Sequence, residues 1–130
     1  SFDTGATRGD HAFDIDGGIG TFMVYASKGR RELPDGRVYL DGETESFSKT
    51  GTFQGQHVCT PLHGTAVHIN AFNFPAWGMF EKAACSWLAG VPVIEKPATS
   101  TALVAHRMAE ITVESGLVPE GAFQFACRVD

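Results

Sequence analysis

A chain of 130 residues, 43% hydrophobic and 19% charged, is long enough for one domain of ordinary size and too apolar to be disordered. Ten basic against fifteen acidic residues leave a net charge of -5, which argues against the basic face that a nucleic-acid binder needs. No apolar run approaches the ~20 residues of a membrane span, and the chain opens on Ser1 without a charged-then-apolar leader, so it reads as a processed or partial chain that does not cross a membrane. Cys59, Cys85 and Cys127 form no CxxC pair and leave one thiol over in any disulfide scheme, which points to a reducing cytoplasm.

Residues 1–20 are rich in Gly and Asp without a clean period, and Asp14–Gly20 reads as a turn or loop. Phe22, Met23, Tyr25 and Ala26 suit a helix running to about Leu33, which Pro34-Asp35-Gly36 ends. The Lys28-Gly29-Arg30-Arg31 cluster, followed directly by Glu32, reads as a solvated helix end. Residues 37–49 are polar and read as irregular or short strand. Phe53, His57, Val58 and Thr60 suit one strand and Thr65–Ile69 another, with Pro61-Leu62-His63-Gly64 as a hairpin turn between them. That hairpin would set His57 opposite His68. Without a third ligand and its supporting groups, surface strand histidines are the better reading than a metal site.

Phe74-Pro75 opens a helix with proline in the first turn, and Trp77, Phe80, Ala84 and Trp87-Leu88 give it a broad apolar face. Ala89-Gly90 ends it. Val91–Ile94 is a short apolar run typical of a buried parallel strand, with Pro92 tolerable only near its start. Thr99-Ser100-Thr101 caps a helix from Ala102 to about Glu114, Ser115-Gly116 stops it, and Ala122–Ala126 forms a further strand. From Thr65 the order is β-α-β-α-β, the first half of a doubly wound nucleotide-binding sheet. Neither G-x-G-x-x-G nor a Walker A lysine motif occurs.

Two strand ends carry candidate chemistry. Asn73, at the strand-to-helix junction, would present an amide N–H to a developing oxyanion; taken alone, a cap or local turn bond is the commoner role for such a residue. Lys96 ends the next strand, where an ammonium suits a ribose hydroxyl or phosphate; taken alone, a snorkelling surface lysine is the commoner role. A carboxylate three residues on would hold the ribose hydroxyls of NAD and repel a 2′-phosphate. Thr99 stands there instead, so the pair leans toward NADP over NAD. Cys85 and Cys127 read as buried structural cysteines, and His106 has no evident partner.

The segments NAFNFPAWG, LAGVPVIEKPATS and ESGLVPEGA resemble, in order and spacing, motifs of the aldehyde dehydrogenase superfamily. DGGIGTFMVYASKGRRELP, GTFQGQHV and AVHINAFNFPAWGMFEK are most similar to the branch of that family acting in phenylacetate degradation, where the dehydrogenase is joined to a ring-opening hydratase-like domain. The resemblance runs to about Ala126. It implies an α/β fold: the first β-α-β-α-β of a Rossmann-like cofactor domain (65–130), preceded by a helical and loop part (1–49) and an oligomerisation-type hairpin (50–64).

The resemblance also implies a mechanism for the whole domain. A cysteine thiolate attacks the aldehyde of a CoA-linked semialdehyde, an amide steadies the oxyanion, hydride passes to NADP, and a glutamate assists hydrolysis of the thioester. By position, Asn73 is the oxyanion donor, Asn70, Ala71 and Phe72 line the cofactor path, and Lys96 and Thr99 meet the adenosine ribose and its 2′-phosphate. The same resemblance implies homo-oligomers of the full-length protein.

Three departures stand out. The family's nucleophile lies farther beyond its asparagine than this chain extends, so none of the three cysteines can be it. The catalytic glutamate is missing for the same reason, and the isolated chain is expected to be inactive. CRVD replaces the Gly-Ser-rich turn expected after the last strand. Glu95 occupies a strand position usually apolar, where an unpaired carboxylate is costly, so either it faces outward or the strand is distorted. Semialdehyde oxidation in benzoyl-CoA breakdown and a non-catalytic oligomerisation module are the alternative readings.

Overall fold

Thr7 begins the first helix by closing a reciprocal cap with Asp10: the Asp10 N–H donates to Thr7 Oγ1 at 3.1 Å, and the hydroxyl donates back to the carboxylate at 2.6 Å. In the computed structural model, which describes residues 2–127, this helix, α1, runs over Arg8–Glu32. The Asp14–Gly20 segment is therefore helical and not a loop. The reason is packing: a Cβ at Gly17 would collide with the Trp77 ring, and one at Gly18 would stand 3.0 Å from the Trp77 Cα. The glycines let α1 lie directly on its neighbour, and this close approach outweighs their cost of roughly 1 kcal/mol each within a helix.

Strands β1 (Tyr39–Ser46) and β2 (Gln54–Cys59) form an antiparallel hairpin with Tyr39 opposite Cys59 and Asp41 opposite His57. This corrects the expected 50–64 hairpin: β2 turns back onto β1, and His57 does not face His68. The turn is made near Gly51, whose φ of 72° suits glycine, and Phe47 N–H donates to Phe53 O at 2.8 Å. Apart from Tyr39 and Gly55, every strand residue of the hairpin is exposed.

The second sheet holds β3 (Ala66–Ile69), β4 (Val93–Lys96) and β5 (Phe123–Phe125), parallel and in that order, with α2 (Pro75–Leu88) and α3 (Ala102–Glu114) as crossovers. Gly90 follows α2 at φ 73°, and Gly116 follows α3 at φ 66°. Met79 of α2, Val93, Ala109 of α3 and Phe123 form the core, with Phe80, Trp87 and Met108 packed against it. Each large apolar side chain so buried contributes about 1.5–3 kcal/mol. Trp87 bridges the layers: its ring meets Phe123 edge-on at 5.6 Å, and its indole N–H donates to Ala122 O at 3.0 Å.

The sheet is covered on one face only. Alternation puts Ala66, His68, Val93 and Glu95 under the helices and leaves Val67 and Ile69 open to solvent, 62% and 73% exposed. Among the described residues, no helix is long and apolar enough to cross a membrane.

Candidate active site at the strand ends

β3 and β4 end side by side. Ile69 is in register with Lys96, and the Asn70 N–H donates to the Lys96 carbonyl at 3.0 Å. The short connection from β3 to α2 therefore leaves the sheet at its carboxyl edge, the edge at which open α/β sheets bind ligands. Ala71, Phe72 and Asn73 are all exposed there. Asn73 borders two clefts of about 440 and 410 Å³, one beneath the start of α1 and one beside Gly78, Glu81 and Lys82 of α2.

Asn70 is placed differently. It is buried under α2, where its amide N–H donates to Glu95 Oε2 at 2.6 Å and its carbonyl accepts from Lys82 Nζ at 2.6 Å. Only its backbone stays at the strand end with Phe72 and Asn73. Lys82 also donates to the Ile69 carbonyl at 3.2 Å, so one ammonium secures the last two residues before the loop.

Glu95 is fully buried in a regular strand, so neither outward rotation nor distortion resolves it. Partners do. His68 Nδ1 lies 2.7 Å from Oε1, and His68 Nε2 lies 3.1 Å from Ser86 Oγ. Burial pushes the Glu95 carboxyl above the usual glutamate range, while the His68 and Asn70 hydrogen bonds and the Lys82 charge pull it back. The Glu95–His68–Ser86 order is that of a hydrolytic triad. Ser86, however, sits within α2, where neighbouring N–H groups are spent on the helix ladder and cannot form an oxyanion hole.

The other side of the Asn73 loop is held by a residue that sequence reasoning passed over. Phe74 offers no side-chain cap to α2. Asp14, 3% exposed on α1, supplies it: Ala76 N–H donates to Oδ2 at 3.0 Å and Trp77 N–H to Oδ1 at 2.8 Å. A carboxylate there meets both the orphan donors and the positive end of the helix dipole.

Lys96 shares the open face of β4 with Ile94 and forms no ion pair among the described residues. Thr99 is exposed on the 3-10 turn (Thr99–Thr101) leading into α3, whose first turn has no acidic residue and no side-chain cap. The expected capping by this Thr-Ser-Thr run is thus absent, and Thr101 Oγ1 is buried without a partner. An ammonium at the carboxyl edge of the sheet is chemically suited to an anion. Asn73 and Lys96 stand at adjacent strand ends, but neither Lys96 nor Thr99 lines the clefts that Asn73 borders.

The cysteines are exposed, which corrects the buried reading. Cys85 lies two residues from Ala83 on α2, turned away from the face that meets the sheet. No cysteine borders the clefts around Asn73. His106 packs edge-on against Phe125 at 5.7 Å and lies 3.7 Å from Glu110. No metal-binding cluster occurs among the described residues. Residues 128–130, most of the CRVD segment, lie outside them.

Residues 1–128 match the aldehyde dehydrogenase family. The chain belongs to that family. It is 53% identical over 124 residues to a 3,4-dehydroadipyl-CoA semialdehyde dehydrogenase of Aromatoleum evansii, a match covering 95% of this chain and 24% of that protein. It is 35% identical to a 1-pyrroline-5-carboxylate dehydrogenase of Staphylococcus epidermidis, covering 90% of this chain and 20% of that one. The fold matches a succinic semialdehyde dehydrogenase of Streptococcus pyogenes, solved in complex with NADP+, at a TM-score of 0.74 and 20% identity, over 98% of this chain and 25% of that one. The chain thus spans about a quarter or less of the length of these aldehyde dehydrogenase relatives. Within that quarter lie the α/β elements expected from its motifs.

Proposed function

We propose that this chain is the start of the cofactor domain of an NADP-dependent aldehyde dehydrogenase that oxidises a CoA-linked semialdehyde to the acid. The observation carrying this reading is the exposed Asn73 at the carboxyl edge of the sheet, one strand from Lys96, which has no ion pair among the described residues. Asn73 donates to the aldehyde oxygen as negative charge develops, and Lys96 and Thr99 hold the adenosine ribose and its 2′-phosphate. Ala71 and Phe72 border the cofactor path, and Asn70 supports it from beneath. When bound, the nicotinamide supplies the hydride acceptor.

The thiolate nucleophile and the hydrolytic glutamate come from outside these 130 residues, so the isolated chain turns over no aldehyde. The name of the Aromatoleum relative supports a CoA-linked semialdehyde as substrate class. Phenylacetate breakdown is the context drawn from the motifs, and benzoyl-CoA breakdown the alternative. The full-length protein forms homo-oligomers through the β1–β2 hairpin and works in the reducing cytoplasm, as three free exposed thiols favour. That hairpin's exposure also favours a second reading, a non-catalytic oligomerisation module.

Calorimetry with NADP and NAD, on the chain and on Lys96→Ala, separates the two. Weak NADP binding lost in the variant supports the dehydrogenase half-site. A discrete dimer that ignores both nucleotides overturns it in favour of the module.

A further inference from the structure

The loop that carries Asn73 is short, and both of its ends are fastened by buried carboxylates from elsewhere in the chain. On the β3 side, Glu95 holds the Asn70 amide, and Lys82 closes over the Asn70 and Ile69 carbonyls. On the α2 side, Asp14 holds the Ala76 and Trp77 N–H groups. Between these anchors the Asn73 amide itself has no protein partner among the described residues, so its direction depends on where the two ends are pinned.

We propose that Glu95, acting through Asn70 and Lys82, is a positioning residue for the Asn73 amide, with Asp14 fixing the opposite end of the same loop. Glu95 touches neither substrate nor cofactor. It stands one layer below, and its burial makes sense only if something demands that Asn70 be held. An apolar residue at 95 would leave the buried Asn70 N–H without an acceptor, and Lys82 would then grip an amide free to turn. The placement demand is steep: an oxyanion donor displaced by about 1 Å loses most of its effect on the transition state. The cluster also explains why His68 bonds on both ring nitrogens. With Nδ1 against Glu95 Oε1 and Nε2 against Ser86 Oγ, the imidazole engages the carboxyl oxygen that Asn70 leaves free and ties it to α2.

This inference rests on the reading of Asn73 as oxyanion donor, and one set of variants in the full-length enzyme separates the two. Lys82 lies at the exposed edge of the cluster, so Lys82→Met folds even where Glu95→Leu does not. We expect Lys82→Met and Glu95→Leu each to lower kcat about tenfold with the KM for NADP unchanged. Glu95→Gln keeps an acceptor for Asn70 and a hydrogen-bonding partner for His68 Nδ1, and stays within about threefold of wild type. Asn73→Ala alone costs about a hundredfold. Lys82→Met added to Asn73→Ala costs nothing further, because the amide it positions is gone.

An additive loss in that double variant, or no loss in Lys82→Met, overturns the positioning role while leaving the dehydrogenase reading intact. Full activity of Asn73→Ala overturns both.

Discussion

Replacing Asp14 with alanine removes the side-chain cap on α2 without touching α2 itself. Two charge-assisted hydrogen bonds go, at 3.0 and 2.8 Å, and the Ala76 N–H they leave behind is in a fully buried residue that water does not reach. Bonds to a charged group are worth about 1.5–3 kcal/mol each, and an ordinary cap removed to alanine costs about 0.5–2 kcal/mol. Relief of the desolvation of Asp14 itself returns part of this. The net loss expected is therefore about 2–4 kcal/mol, a large share of the 5–15 kcal/mol typical of a domain. It lowers Tm by roughly 3–5 °C per kcal/mol in a chain of this size. Asp14→Asn, which keeps one acceptor, loses about half as much. Urea unfolding at matched protein concentration, followed by tryptophan fluorescence, reads the change directly, since Trp77 and Trp87 both lie on α2. A loss below about 0.5 kcal/mol for Asp14→Ala at unchanged m value refutes the trans-cap.

Two further outcomes follow from burial. The raised Glu95 carboxyl means that the folded chain holds a proton which the unfolded chain has already released just above the ordinary glutamate range. The corresponding stability is full below that range and is lost as pH rises through the raised value. Glu95→Gln has no such proton, so its Tm gains on wild type as pH rises above the ordinary glutamate range; a constant gap would contradict the assignment. The uncovered sheet face, with Val67 and Ile69 exposed, makes the 130-residue chain self-associate in sedimentation velocity. Ile69→Lys shifts it toward monomer, and an unchanged profile would locate the sticky surface elsewhere.

The β3–α2–β4–α3–β5 order was legible because its signals are local: Pro75 in a first turn, Gly90 and Gly116 just past helix ends, and short apolar runs between them. Of the first helix only the stretch from Phe22 to about Leu33 was legible, because what the helix buries is Asp14, Gly18 and Gly29 rather than an apolar stripe, and its first half has no hydrophobic period to read. Its cap, Thr7 three residues before Asp10, is a local signal that the reading of residues 1–20 missed. Pro61–Gly64 has turn chemistry as good as that near Gly51, and nothing in the alternation of β2 says which neighbour it pairs with. Asn73 and Lys96 were singled out by their places at strand ends. Asp14, Lys82 and the pairing of Glu95 were hidden because each acts on a residue distant in sequence, and pattern along the chain carries no record of that. Cys85 was misjudged because apolar neighbours in sequence do not lie on one side of a helix.

The Asp14 bond to Ala76 joins residues 62 apart, and this has a consequence for the order of folding. As the chain leaves the ribosome, α1 emerges well before the helix it caps. The α2 segment, when it arrives, carries proline in its first turn and no cap of its own, so as a nascent helix it is frayed at the end that matters. Docking α1 closes a long loop whose entropic cost grows only slowly with length, and in one step it supplies both the cap and the glycine seam. The end of α2 and the loop bearing Asn73 therefore become ordered together and late, after long-range contact and not before it.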